Sequence, residues 1–423
     1  MEQRRVKIKN YTSLTNKKLM IHLPLNTKTL KNIKTLVIGL SLFISAQTFA
    51  QGGLQSKESL LGQRNVITTA APFLLISPDS RAAAMGDLGV ATSADANSIH
   101  WNASKLAFVE GDGGIAISAA PWLKQLVPDI WFYYLSGYKK IDDKSTVAAS
   151  LRYFSLGDIQ FTDNQGTSTG DYEPKEFAFD GAYARKLSDN LALGVALRFI
   201  FSDLARGQIG SSGTEIKAGM AGAGDISMTY LNNTNLGGKD FDYTIGGNIS
   251  NIGNKITYTT EANRDFIPVN LRVGTFWSTE LDEYNDIGFG VDFNKLLVPT
   301  PQYEYDSLGE ISGRVIADDP LINGMISSFA DAPGGFKEEL NEITISAGVE
   351  YWYAKQFALR AGYFYEADTK GSRKYLTFGA GLKYNVFQID AAYLQPFARR
   401  HPLQNTIRFS LLFDLDAFKN QKN

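Results

Sequence analysis

The chain has 423 residues, of which 44% are hydrophobic and 20% are charged, so it is too apolar to be disordered. It contains no cysteine and three histidines, which excludes disulfides, thiolate chemistry and lipoprotein acylation and leaves little material for a histidine metal cluster. Its mean hydropathy of -0.16 argues against a protein with several membrane-spanning helices.

Residues 1–50 are predicted to be a signal peptide for export through the Sec pathway. An apolar run from 36 to 46 is too short to span a membrane, and the small residues Thr48 and Ala50 follow it. Three basic residues precede the run: Lys28, Lys31 and Lys34. We predict cleavage after Ala50, with translation starting at either Met1 or Met20.

The predicted mature chain is acidic. Residues 1–50 hold nine of the Lys and Arg residues and one Glu, so their removal leaves a net charge of -10. An acidic protein is a poor match for polyanions, which argues against nucleic acid as a partner.

Residues 51–112 lack any strand-like alternation and are predicted to form a hatch inside or beneath a barrel. Ser77 or Asp79 is expected to cap a short helix near 81–85. Trp101, Leu106 and Phe108 are of a kind that is usually buried. The alternative is a disordered periplasmic lead.

His100 and Trp101 could in principle form a ligand pair for a metal. A single histidine with no cysteine and no second histidine nearby binds metals poorly. We therefore expect His100, Trp101 and Asn102 to pack within the hatch, and we expect no metal or other cofactor.

From residue 113 to 418 apolar and polar residues alternate, as in "KYLTFGAGLKY" from Lys374, where Leu376, Phe378, Ala380 and Leu382 share one face. A soluble sandwich could show the same alternation. Long strands, aromatic residues near strand ends and the signal peptide favour a barrel in the outer membrane instead.

Fourteen strands are predicted, an even number as bacterial barrels require. Short connections alternate with long ones, which is the arrangement of outer-membrane barrels. The predicted fold is therefore all-β, a 14-stranded antiparallel transmembrane β-barrel with an N-terminal hatch. The predicted strands are 113–120, 129–140, 144–156, 174–187, 190–203, 223–231, 240–251, 268–280, 284–295, 342–354, 356–367, 372–385, 386–396 and 403–415.

Charged residues are predicted on the inner face of many strands. They could line a conduction path, but such residues more often neutralise one another and the hatch, which is the interpretation that we favour. Examples are Arg152, Asp180, Arg198, Asp292, Glu350, Arg360 and Asp390.

The long connection 296–341 is the strongest candidate for a binding surface, because loops of this length are usually functional or disordered. Its segment "PLINGMISSF" has apolar residues at helical spacing: Leu321, Ile322, Met325, Ile326 and Phe329. This apolar face could fold back over the barrel mouth, or it could dock to a translocon or to cargo. Phe336 belongs to the same predicted surface.

Three stretches carry a family resemblance: "RAAAMG", "DANSIHWN" from Asp95 to Asn102, and "DAPGGFKEEL" from Asp331 to Leu340. From about Leu75 to Phe418 the chain resembles FadL-like outer-membrane barrels and, more closely, the PorV family of the type IX secretion system of Bacteroidetes. The resemblance implies a protein that is not an enzyme. It implies binding of the C-terminal signal domain of secreted cargo at a large outer-membrane translocon barrel, and delivery to the surface attachment complex that contains the sortase.

Two other functions remain open. One is the import of hydrophobic small molecules, which FadL-like proteins perform. The other is a purely structural role, which would also leave the barrel without catalytic or ligand-binding motifs. In a predicted outer loop, "RRH" at 399–401 is either a solvated loop tip or a contact with anionic lipopolysaccharide and other outer-membrane lipid.

Overall fold

The computed structural model describes residues 64–162, 165–209, 213–259, 264–307, 311–315, 318–398 and 401–415. The predicted signal peptide, its cleavage site and the residues Arg399 and Arg400 lie outside the described residues.

Fourteen strands close into one antiparallel barrel, and the predicted fold class is confirmed. Each barrel strand pairs with the next one along the chain, and the last pairs with the first. The barrel strands are β1 (Gly113–Pro121), β2 (Trp131–Lys140), β3 (Ser145–Ser155), β6 (Lys175–Lys186), β7 (Leu191–Asp203), β8 (Gly219–Leu236), β9 (Lys239–Gly253), β10 (Asn270–Glu280), β11 (Asn285–Leu296), β14 (Thr344–Tyr353), β15 (Phe357–Tyr365), β16 (Lys374–Tyr384), β17 (Phe387–Pro396) and β18 (Thr406–Asp414).

Every predicted strand overlaps one of these barrel strands. The sixth predicted strand, 223–231, is too short, because β8 extends from Gly219 to Leu236. The first half of β8 is rich in glycine and alanine, and its last residues, "NNTNL", lack the apolar alternation from which strands are predicted.

The two faces of the wall have opposite chemistry, as the strand period requires. In β3, Val147, Leu151 and Tyr153 are exposed on the outer face, whereas Arg152 between them is buried on the inner face. The outer face therefore suits lipid, and the inner face places charges in the barrel interior.

The connections differ at the two ends of the barrel. Tight turns join strands at one end, for example Gly237 and Gly238, whose positive φ angles of 64° and 85° suit glycine. Long connections join strands at the other end. In outer-membrane barrels short turns face the periplasm and long loops face outward, so we call the two ends inner and outer.

The outer connections contain small elements of their own. Two hairpins stand apart from the barrel, namely β4 (Ile159–Thr162) with β5 (Ser168–Tyr172) and β12 (Gln302–Tyr305) with β13 (Ile311–Val315). The connection between β11 and β14 also holds two short helices, Leu321–Ser327 and Phe336–Asn341. Among the described residues, no helix has the length and apolar character needed to cross a membrane.

Residues 64–112 run through the barrel from the outer end to the inner end. The N–H of Asn65 donates to the carbonyl of Thr369 in an outer connection, and the segment ends at β1, which begins at the inner end. Between these points lie two α-helices and two 3-10 helices: Pro72–Leu75, Ser80–Ala83, Ser98–Trp101 and Ala103–Phe108. Asp79 caps the helix Ser80–Ala83 by accepting from the N–H of Ala82.

The hatch touches the wall at glycines that face inward. A Cβ atom at Gly362 would lie 2.0 Å from the carbonyl carbon of Met85 and 2.2 Å from the nitrogen of Gly86. The hatch backbone therefore occupies the space that a side chain would need.

We expect Gly362→Val to displace the hatch while the barrel still forms, because the clash involves the hatch backbone and not a flexible side chain. The displaced hatch should be cleaved faster by protease added to the purified protein. Gly181→Val is the matched control, because a Cβ at Gly181 meets no atom within 4 Å. Equal cleavage of the two variants would contradict this prediction.

Candidate functional site

A buried ionic network ties the hatch to the wall. The guanidinium of Arg81 donates to both carboxylate oxygens of Glu350 at 2.9 and 2.8 Å, and Arg360 donates to Glu350 at 2.7 Å. Arg360 also donates to Asp390 at 2.6 Å, and Arg81 lies 3.3 Å from Asp95 in the hatch. The charges on β14, β15 and β17 are therefore neutralised through a hatch arginine.

A second network crosses β3, β6, β7 and β8. Asp180 accepts from Arg152 at 3.0 Å and also from Arg198, which pairs with Asp225 at 3.0 Å. Arg152 reaches the hatch by donating to the carbonyl of Leu74 at 3.2 Å. These contacts support mutual neutralisation of the inward charges, which is the interpretation favoured from the sequence.

The three predicted hatch residues are buried together. The His100 ring meets the Trp101 ring edge-on at 4.7 Å, and Trp101 donates from Nε1 to Asp79 at 2.6 Å. Asn102 donates from Nδ2 to the carbonyl of Val90 at 2.9 Å. Burial lowers the pKa of His100 well below 6.5, so this imidazole stays neutral. Within the described residues, no group of three or more His, Asp or Glu side chains is placed to hold a metal.

The helix Leu321–Ser327 lies over the outer end of the barrel with its small residues inward. Gly324 is buried against the Phe266 ring, which a Cβ atom would approach to 2.8 Å, and Ser328 is also buried. Leu321 and Met325 are half-buried. The larger apolar residues are exposed: Ile322, Ile326 and Phe329. The helix therefore packs on the barrel through the side that carries Gly324 and Ser328. The side that carries its larger apolar residues, which the sequence pattern indicated as the packing face, is exposed.

The helix Phe336–Asn341 presents a similar surface. Phe336 is 69% exposed and Leu340 is 50% exposed, whereas Glu339 and the following Glu342 are buried. We call the exposed large apolar side chains of the two helices, together with that of Phe329 just after the first helix, the outer apolar set. It consists of Ile322, Ile326, Phe329, Phe336 and Leu340.

Buried charges fix the second helix to the barrel. Lys295, at the end of β11, donates to Glu339 at 3.0 Å and to Glu342 at 2.5 Å. Lys370, in the connection after β15, donates to Glu338 at 2.6 Å and to Glu342 at 2.9 Å. We call these five residues the loop anchor. Because both lysines are shared between two carboxylates, the orientation of the second helix is strongly constrained.

Asp331 lies between the two helices. One of its carboxylate oxygens accepts from the N–H of Thr300 at 3.0 Å, and the other is buried without a hydrogen bond. Burial raises the pKa of Asp331 to about 6 from 3.8. Ionised Asp331 therefore weakens the packing of the loop at neutral pH.

Sequence reasoning missed the part of this site that carries charge. Lys295 and Lys370 lie far apart in the chain, and nothing in the pattern joins them to "FKEEL". It also missed Leu340, although its spacing of four residues from Phe336 on one helix is a signal that could have identified it.

The fold and its buried interior define a class of protein, an integral outer-membrane β-barrel with an internal hatch. A family model described as "Type IX secretion system protein PorV" matches residues 59–303, which is more than half of the chain. The chain belongs to this family, and it is thus an outer-membrane component of type IX secretion.

Comparison with solved structures finds transporters with barrels of similar fold. The toluene transporter TbuX of Ralstonia pickettii aligns with 10% identity and a TM-score of 0.45, covering 79% of this chain and 97% of its own. The toluene transporter TodX of Pseudomonas putida has 11% identity and a TM-score of 0.45, covering 83% and 98%. A Pseudomonas aeruginosa FadL homologue has 11% identity and a TM-score of 0.41, covering 83% and 99%. No curated protein matches the chain.

Removing one member of the buried hatch network should destabilise the protein. We expect Glu350→Gln to cost about 3–5 kcal/mol, because Arg81 and Arg360 lose their shared counter-charge. The measurement is the temperature at which the folded band disappears on a semi-native gel.

Glu280→Gln is the matched control for that experiment. Glu280 pairs with Lys355 at 3.1 Å, but both side chains are more than 70% exposed, and exposed pairs contribute little. The network has no stabilising role if the two variants lose their folded bands at the same temperature.

Asp331→Asn should protect the long connection from hydrogen exchange at neutral pH. Because the pKa of Asp331 is raised in the folded loop, its favourable contribution is complete below about pH 3.8 and is lost as the pH rises through about 6. The variant should therefore be better protected than the wild type above pH 6, and the difference should disappear near pH 4. Amide exchange in residues 318–343, compared between the two proteins at each pH, measures this. A difference that does not depend on pH would contradict the prediction.

Proposed function

We propose that this protein is the non-enzymatic cargo shuttle of a type IX secretion system. It binds the C-terminal signal domain of a secreted protein as that protein leaves the translocon barrel, and it carries the protein to the surface attachment complex. Sec export with cleavage after Ala50 would bring it to the outer membrane.

The observation that carries this proposal is the outer apolar set. Its side chains are exposed on or directly after two short helices. The loop anchor holds the second helix, and Gly324 packs the first against Phe266, so the set needs little reordering before it binds a partner. Exposed apolar groups of this kind, held at the outer end, are typical of a protein interaction surface.

The interior supports the same proposal over FadL-like import of small hydrophobic molecules. The hatch meets the wall through the ion pairs Arg81–Glu350 and Asp87–Arg408 and through close backbone contacts, which oppose the passage of an apolar molecule. An import function would need a continuous apolar path between hatch and wall.

The direct test is a gentle detergent purification of the tagged protein from its native outer membrane, with identification of all proteins and lipids recovered with it. Secreted proteins that share a C-terminal domain, or a very large outer-membrane barrel, would support the shuttle. Recovery of the barrel alone with bound fatty acid or other lipid would favour transport.

Ile326→Asp and Phe336→Asp should each reduce the recovery of cargo and the export of cargo by about tenfold or more, because a charge at an apolar contact must be desolvated on binding. Export is measured as cargo at the cell surface and in the medium. Ile209→Asp is the control, because Ile209 is 75% exposed in another outer connection. Normal export by both loop variants, with intact barrels, would exclude the outer apolar set as the cargo site.

A further inference from the structure

A cavity of about 820 Å³ opens at the inner end of the barrel, opposite the outer apolar set. Its floor is the underside of the hatch, from residues 92–96, 105 and 108–111, and its wall consists of the inner ends of strands. We call it the inner vestibule. Its volume is in the range of ligand-binding cavities, so it can hold a short segment but not a folded domain.

The lining of the inner vestibule carries an excess of negative charge. Four basic residues line it, namely Arg81, Lys105, Lys355 and Lys383. Seven acidic residues line it, namely Asp95, Glu110, Asp242, Glu280, Asp286, Glu350 and Asp414. A concave site lined mainly by one sign of charge attracts ligands of the opposite sign.

Two of the basic residues are already bound to carboxylates of the lining. Arg81 is paired with Glu350, and Lys355 is paired with Glu280. Lys105 is buried and donates to neutral oxygens, the carbonyl of Gly89 at 2.7 Å and the hydroxyl of Thr92 at 3.0 Å. Arg81 is also paired with Asp95, and after these pairings the lining still keeps more carboxylates than cations, so an anionic ligand would be repelled.

The uncharged part of the lining suits a peptide. Aromatic rings of the lining already contact basic side chains, Phe108 with Lys186 at 5.3 Å and Trp352 with Arg360 at 5.4 Å, so the lining is chemically compatible with lysine and arginine. Side-chain amides and hydroxyls can both donate to and accept from peptide groups. Those of the lining are Asn190, Asn232, Asn233, Ser278, Thr279, Asn385 and Gln388.

We propose that the inner vestibule binds a short segment, rich in lysine or arginine, of a periplasmic protein. The segment enters from the inner end and lies against the underside of the hatch. The site is separate from the outer apolar set, so the barrel has one protein-binding surface on each side of the membrane.

The test is a binding measurement with the full chain in a non-ionic detergent, using a short dye-labelled peptide of alternating lysine and glycine. We expect saturable binding that weakens as salt rises from about 0.05 to 0.5 M, because screening reduces the attraction. Asp242→Asn combined with Asp286→Asn should weaken binding by about tenfold or more, since two carboxylates of the lining are lost.

A matched variant removes the same charge elsewhere. Asp189→Asn combined with Glu283→Gln neutralises two exposed carboxylates of inner turns that do not line the vestibule, and binding should stay unchanged. Three results would overturn the proposal: no saturable binding, equal binding of the corresponding glutamate–glycine peptide, or equal weakening by the two double variants. Displacement of the peptide by spermidine at an equal concentration of charge would assign the site to free polyamines and would also overturn it.

Discussion

Closure of the barrel is the constraint on which the rest of the structure depends. In lipid every backbone N–H and C=O must find a partner within the protein, so the last strand has to return to the first, as β18 does along β1. Closure then creates an interior lined by the inward residues of fourteen strands. Those residues include charges such as Arg152 and Glu350, which are stable there only when they are paired. The hatch takes part in this pairing, because Arg81 binds Glu350 and the carbonyl of Leu74 accepts from Arg152.

The two ends of the barrel carry different structures. At the outer end long connections fold into small helices, and the five charged residues of the loop anchor hold the second of these in position. At the inner end tight turns leave an open, acidic vestibule beneath the hatch. Under the two proposals made above, the outer surface serves apolar recognition and the inner surface serves electrostatic recognition.

The fold was predictable from sequence because strand alternation is a local signal that survives in a single chain. The cap of the helix Ser80–Ala83 was narrowed from sequence to Ser77 or Asp79, and it is Asp79, since a helix N-terminus is a local feature. The pairing of Arg81 with Glu350 spans 269 positions and has no periodicity, so sequence reasoning could not find it. The orientation of the helix Leu321–Ser327 was also not predictable, because the close approach of Gly324 to Phe266 depends on the tertiary fold.

Asn65 stands at the junction between the hatch and the outer surface. Its side-chain amide donates to Glu338 at 3.0 Å and to the carbonyl of Pro301 at 3.2 Å. The second residue of the described part of the hatch is thereby fastened to the helix that carries Phe336. Loosening of either part therefore breaks hydrogen bonds made by the other, so the order of the hatch at its outer end and the order of the outer connection depend on each other.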